Sequence, residues 1–354
     1  MNKKERMKKI ALRSFLFGCF MLGLSMTTLL AQTKADYKKK YKNSDLYKEL
    51  EKKMQSDMVY PDSIVLPPLH YINTMVSLDS VVTDFQNISI DITVKDDLPD
   101  SYKFYISPFN TAFNYMPFYC GIQTASGGKP IGGSKDEEIG RGGIFSRWYE
   151  RDTAALRTEG YYASSDGEGD FIGVRNKLKW GKGTYRLTLS KTGYVPGKVL
   201  PDSANQKDLM FSWGEYEHSW VTMTIEDLER HQITTIGSLA FPGKRLKMAA
   251  GFTIFLEQYG AAINFAKNRD LPFETLYYQD IPVAHIVFDH IVVNGKPVIP
   301  KKVQTYHNRT HHPEQKKITM PIPLLSKVVY DPITGSIDCV AGKFVDWKTP
   351  IDPE

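Results

Sequence analysis

The sequence predicts an all-β protein, an antiparallel β-sandwich of jelly-roll type behind a short N-terminal helical spacer. Three observations predict it. From about residue 71 the apolar residues recur with period two, as in "ISIDITVKDD". There Ile88, Ile90, Ile92 and Val94 share one face, and Ser89, Asp91 and Thr93 share the other, the pattern of a half-buried strand. Many such short runs follow, separated by clusters of Gly, Pro, Asn or Asp. Strand–helix alternation strong enough for a doubly wound parallel sheet is missing.

The elements follow in order. "MNKKERMKKIALR" carries six bases and one acid, and "SFLFGCFMLGLSMTTLLA" is apolar and short. A basic start, a modest apolar run and a small residue at its end predict a secretory signal peptide over 1–31, cleaved after Ala31. Residues 32–60 form a Lys-rich spacer in which Leu46, Tyr47, Leu50 and Met54 recur at helical spacing. "YPDSIVLPPLHY" reads as an extended, proline-marked approach to the fold. The main β-sandwich domain is expected over 61–265. A β-rich extension packed on it is expected over 266–354. In that extension Asn294-Gly295 fits a tight primed hairpin turn, and "KVVYDPITGSIDCVAGKFVDW" reads as a strand pair.

Charge and cysteines exclude several functions. The full sequence has 45 Lys+Arg against 40 Asp+Glu. Removing residues 1–31 leaves 39 of each, so the excess of base belongs to the leader. A nucleic-acid partner needs a basic surface on the folded domain and is not expected. No stable membrane span is expected after cleavage. Cys120 and Cys339 remain. An oxidising exterior permits a disulfide between them, and two buried free thiols are the other arrangement. The lack of a CxxC pair leaves zinc and thioredoxin-type chemistry without support.

The order of motifs in the middle of the chain is "FYCGIQT", "GGIFSRW", "EGYYASSDGEGDF", "LKWGKGTYRLTLS", "SWVTMTI", "TTIGSLAFPG" and "FTIFLEQYG". Over roughly residues 100–265 this order resembles a family of secreted bacterial proteins known as domain of unknown function number 3472. The resemblance implies a β-rich extracytoplasmic domain that sometimes accompanies carbohydrate-binding modules. It implies no catalytic residues.

Three clusters carry candidate chemistry. In "SSDGEGD" the acids Asp166, Glu168 and Asp170 alternate with glycines. The spacing fails an EF-hand, which needs Gly at position 6 and Glu at position 12 where this chain has Phe171 and Lys177. An irregular calcium site on these three acids stays open, and calcium is the one cofactor the sequence admits. A glycine-permitted turn before a strand starting near Phe171 is the simpler reading. "LKWGKGTYRL" then reads as a hairpin, with Leu178, Trp180, Tyr185, Leu187 and Leu189 on its core face. In "SRWYER", Arg147 and Tyr149 fall on one face and Ser146, Trp148 and Glu150 on the other. Aromatic faces that stack on sugar rings, beside charged groups that hydrogen-bond them, make Arg147, Trp148, Tyr149, Glu168 and Trp180 the expected ligand contacts. The competing role for each ring is core packing. The third cluster, His307, His311 and His312, sits in a proline-marked loop without an identifiable supporting carboxylate.

These observations point to a secreted or periplasmic protein that binds polysaccharide or surface glycan without cleaving it. A glycoside hydrolase or lyase with acids on the sheet face is the alternative, and a structural envelope component is a third. Two convergent carboxylates about 5 to 9.5 Å apart would favour hydrolysis. A sheet face carrying exposed Trp would favour binding.

Overall fold

A computed structural model describes residues 65–66, 69–100, 102–165, 169–205, 209–210, 213–259, 276–277, 282–306 and 326–342. The leader, the spacer and the three clustered histidines lie outside these residues, as do Asp166 and Glu168. In chain order the first strands are β1 (Val65–Leu66), β2 (Leu69–Ser77), β3 (Asn87–Val94), β4 (Phe104–Phe113), β5 (Met116–Pro130) and β6 (Glu137–Trp148). A 3-10 turn, Thr153–Ala155, precedes β7 (Leu156–Arg157), β8 (Tyr161–Ser165), β9 (Phe171–Lys177) and β10 (Gly183–Val195). Then come β11 (His218–Asp227), β12 (Gln232–Pro242), β13 (Gly251–Gln258) and β14 (Leu276–Tyr277). The last are β15 (Ala284–Val293), β16 (Lys296–Pro297), β17 (Lys302–Tyr306), β18 (Ser326–Tyr330) and β19 (Ile337–Ala341).

These strands build the predicted all-β sandwich. One sheet has the order β18-β19-β15-β3-β10-β11-β12-β7, with β16 paired to β15. The other has the order β17-β2-β13-β4-β5-β6-β9-β8, and β1 pairs separately with β14. Neighbouring strands are antiparallel throughout both sheets. The alternation in β3 does what the sequence predicts: Ile88, Ile90, Ile92 and Val94 are buried between the sheets. Phe241 of β12 meets Phe113, Phe118 and Phe145 of the facing sheet at ring distances of 5.1, 5.7 and 6.0 Å. Aromatic pairs at such distances add to burial. Residues after 266 are built into both sheets: β15 pairs with β3, and β17 pairs with β2.

One local expectation needs correction, and one alternative is resolved. The stretch after the acidic loop is not a hairpin. β9 belongs to one sheet and β10 to the other, so residues 178–182 cross between layers. Leu178, Trp180, Tyr185, Leu187 and Leu189 are all buried as expected. Period two fixes which side of a strand is apolar but not which sheet receives it. The hairpin at this place is β8–β9, with Ser165 opposite Phe171 across the acidic loop. Of the two arrangements open to the cysteines, the structure has the free thiols and not the disulfide. Cys120 on β5 and Cys339 on β19 are free, buried thiols in opposite sheets. Burial raises both thiols well above the ordinary range, which suppresses the thiolate that exchange chemistry requires.

Candidate functional site

The outer face of the eight-stranded sheet is unusually aromatic. Registers decide which residues share it. On β6, Phe145 and Arg147 point to the core, so Ile144, Ser146 and Trp148 point outward. Cross-strand pairing places Tyr119 of β5 beside Ser146 and Phe171 of β9 beside Trp148. Tyr105 of β4 and His70 of β2 flank Glu257 of β13, and Phe255 lies two residues before Glu257 on that same face. The rings form a chain of contacts. His70 and Phe255 lie 4.8 Å apart, Phe255 and Tyr105 5.1 Å, and Tyr105 and Tyr119 6.3 Å. Tyr119 and Trp148 lie 6.0 Å apart, as do Trp148 and Phe171. The track crosses six adjacent strands, β2, β13, β4, β5, β6 and β9. At a strand spacing of roughly 4.8 Å it is about 24 Å long. Tyr119, Trp148 and Phe171 are half-exposed, while Tyr105 and Phe255 are sunk between their neighbours.

Polar groups line the same face. His70 Nδ1 contacts Asn73 Oδ1 at 3.2 Å. Its Nε2 lies 3.4 Å from Glu257 Oε1, near enough for charge attraction but without hydrogen-bond alignment. Burial lowers the basicity of His70, and its interactions with Glu257 and Asn73 together outweigh this, so its pKa is raised. The Tyr105 hydroxyl is buried without a hydrogen-bond partner among the described residues, as is Ser146 Oγ. Burial pushes the Tyr105 phenol well above its ordinary value, so it keeps its proton.

The expected ligand residues divide. Trp148 is on the track. Arg147 is not a surface contact: it is fully buried and salt-bridged to Glu150 at 3.2 Å, with its guanidinium also donating to the Ala240 carbonyl. The alternation in "SRWYER" holds for Ser146, Arg147 and Trp148, with Arg147 on the inner face; the strand ends at Trp148, and Glu150, expected beside Trp148, is instead buried against Arg147. Tyr149 is also buried, in the left-handed region at φ 62, with its N–H bonded to the Asp170 carbonyl at 2.7 Å. Trp180 is 5 % exposed. Its Nε1 donates to the Gln123 carbonyl at 3.0 Å, and Arg141 lies over its ring. It closes an end of the core. Glu168 and Asp166 lie outside the described residues. Asp170, the remaining member of the calcium set, pairs with Arg151 at 2.8 Å. Gly169 has φ 138, and a Cβ there would come within 3.1 Å of the Trp148 ring. A glycine thus lets the acidic loop approach the end of the track.

Sequence reasoning missed His70, Glu257, Tyr105 and Tyr119. The signal was present in "FTIFLEQY", where Thr253, Phe255 and Glu257 alternate onto one face. A second polar group lies on the other sheet's outer face. Asp91 and Asp289 oppose each other across β3 and β15, and His290 Nδ1 is 3.3 and 2.9 Å from their oxygens. Arg186 holds both Asp91 oxygens, at 2.7 and 2.8 Å. This group is an ion network with its own cation, although three metal-capable side chains meet there. Two clefts lie elsewhere, one of about 430 Å³ beside Tyr115 and Lys244 and one of about 260 Å³ beside Ile131 and Leu156. Among the described residues no helix is long and apolar enough to cross a membrane.

No family model matches the chain, and no curated protein matches it. Among solved structures, scytalido-glutamic peptidase bound to a peptide-based transition-state analog aligns with a TM-score of 0.37 and 9% identity, over 78% of this chain and 98% of that one. SCP-B, a member of the eqolisin family of peptidases in a complex with the tripeptide Ala-Ile-His, aligns with a TM-score of 0.34 at 9% identity, with the same coverage. Likenesses this slight carry no functional inference.

Proposed function

We propose that this chain is an extracytoplasmic glycan-binding protein, and that a polysaccharide lies along the aromatic track without being cleaved. The leader expected over residues 1–31 supports export. The single observation that carries the reading is the unbroken row of rings over six strands, partly open to solvent on a sheet's outer face. Stacking on rings and hydrogen bonding to flanking polar groups are what an extended sugar chain requires. The carboxylates favour binding over hydrolysis. Among the described residues Glu257 is the carboxylate within the track, and Asp170 stands at its far end beside β9. β4, β5 and β6 intervene between β13 and β9, a separation of about 19 Å at the usual strand spacing. Glycoside hydrolysis needs its pair within about 5 to 9.5 Å.

Affinity electrophoresis through gels containing polysaccharide tests the reading, with released reducing ends measured in parallel. Retardation without product release is expected. Trp148→Ala should weaken binding by about tenfold or more, because Trp anchors contribute disproportionately to binding energy, while unfolding stays cooperative at a lower urea midpoint, since the ring also packs on the core, Tyr119 and Phe171. Release of sugar product, or full retardation of the Trp148→Ala protein, would defeat it.

A further inference from the structure

The track has one distinctly polar end. Glu257 lies directly between His70 and Tyr105, and Gln123 lies opposite Tyr105 on the next strand. Four polar side chains on four neighbouring strands therefore share one patch. Glu257 is 24% exposed, so its carboxylate reaches solvent. The Tyr105 side chain is almost fully buried, yet its hydroxyl has no partner among the described residues. Native structures leave few buried polar atoms unsatisfied, and each exception calls for an explanation. A ligand hydroxyl would satisfy this one.

We propose that His70, Glu257, Tyr105 and Gln123 form a subsite for a neutral sugar ring that presents two adjacent hydroxyl groups. One hydroxyl donates to Glu257, and the other accepts from Tyr105. The ring's apolar face rests toward Phe255 and Tyr119. This inference rests on the glycan reading above and adds the ligand's charge class. A uronate or sulfate placed here would meet the Glu257 charge at close range, in a partly desolvated setting where like charges repel strongly. Protonated His70, 3.4 Å from Glu257, offsets part of that repulsion, so the discrimination is read at alkaline pH. Arg175 and Lys177 belong to β9, three strands from β4, although the Arg175 charge reaches the Tyr259 phenol beside this patch; Lys103 lies two residues before Tyr105.

The test measures binding of the full chain to xylan, mannan and laminarin as neutral probes and to polygalacturonate as the acidic one. The wild type should bind at least one neutral polymer, and more tightly than polygalacturonate. Glu257→Gln should weaken the neutral polymer by about tenfold, the scale of a hydrogen bond to a charged group, and narrow the gap to polygalacturonate. Tyr105→Phe should weaken it by about three- to tenfold. The same change should leave the urea midpoint equal or higher, because an unpartnered buried hydroxyl is removed. A merely structural tyrosine would not show that split. Equal or tighter binding of polygalacturonate overturns the subsite. So does neutral affinity within twofold of wild type in both variants, while Trp148→Ala still abolishes binding; that outcome leaves the glycan reading standing. Failure of the wild type to bind any of the four polymers overturns both.

Discussion

Deleting Glu150 tests the buried ion pair that anchors the end of β6 beneath the aromatic track. Arg147 is fully buried and the Glu150 side chain is 4% exposed. Glu150 Oε2 accepts from Arg147, while Oε1 accepts the N–H groups of Arg151 and Asp152 at 2.9 and 2.8 Å. Burial lowers the Arg147 pKa to about 10 and Glu150 opposes the shift, so the guanidinium stays charged at neutral pH. Without Glu150 that charge would face the Ala240 carbonyl and the Phe241 ring. Removing one member of a buried pair costs about 3 to 5 kcal/mol. The two turn N–H groups lie nearer solvent and add about 1 kcal/mol. Glu150→Ala should therefore destabilise by about 4 to 6 kcal/mol, above the usual range for single substitutions. Arg147→Met keeps most of the volume and leaves Glu150 its two backbone donors, so about 2 to 3 kcal/mol is expected. The double variant Arg147→Met/Glu150→Gln buries neither charge and should lose only about 1 to 2 kcal/mol. Urea unfolding followed by tryptophan fluorescence reads all three, provided the slopes agree. A loss below about 1 kcal/mol for Glu150→Ala, or a double variant less stable than Arg147→Met alone, would refute the argument.

Two further predictions follow from the same faces. The raised pKa of His70 makes stability depend on pH. Its contribution is fully present below the unfolded value of about 6.5 and is lost as pH rises through the higher folded value. The urea midpoint of wild type minus that of His70→Asn should thus shrink between about pH 6 and pH 8, and Glu257→Gln should flatten the trend; a difference that grows with pH would contradict the assignment. Gly121 has a different constraint: a Cβ there would lie 2.0 Å from the Ile106 carbonyl oxygen, a backbone atom that cannot turn aside. Gly121→Ala should cost about 3 kcal/mol, at or above the usual range for overpacking, and a chemical-denaturation midpoint close to wild type would show that β4 and β5 can part without penalty.

What the sequence discloses here is local. The alternation of Ile88, Ile90, Ile92 and Val94 reports β3, and Asn294-Gly295, at φ 49 and 74, reports the turn after β15. Both signals lie within a few residues. The candidate site is not local. His70, Glu257 and Tyr105 become neighbours only because β13 lies between β2 and β4, and nothing in "PPLHY" or "FLEQY" names the partner strand. Parity misled for a related reason. "SRWYER" separates Arg147 from Trp148 correctly, but an arginine facing the core looks the same in sequence as one facing solvent. The partner that makes its burial tolerable, Glu150, comes three residues later, beyond the strand's end.

The place of β15 between β3 and β19 also has a meaning in time. A chain made from its N-terminus completes β3 early, yet Val94 must wait for Ile286 before that edge is closed. On the other layer, Asn73 of β2 must wait for Tyr306. Both sheets thus hold open hydrogen-bonding edges until the last fifth of the polypeptide arrives. Pairings so distant in sequence form slowly, and an open strand edge is a template for the wrong partner. Any truncation before β15 would leave the interior of the nine-stranded sheet exposed. Such a fragment should collect in aggregates as it is made, while in the complete chain β15 and β17 cover the edges of β3 and β2.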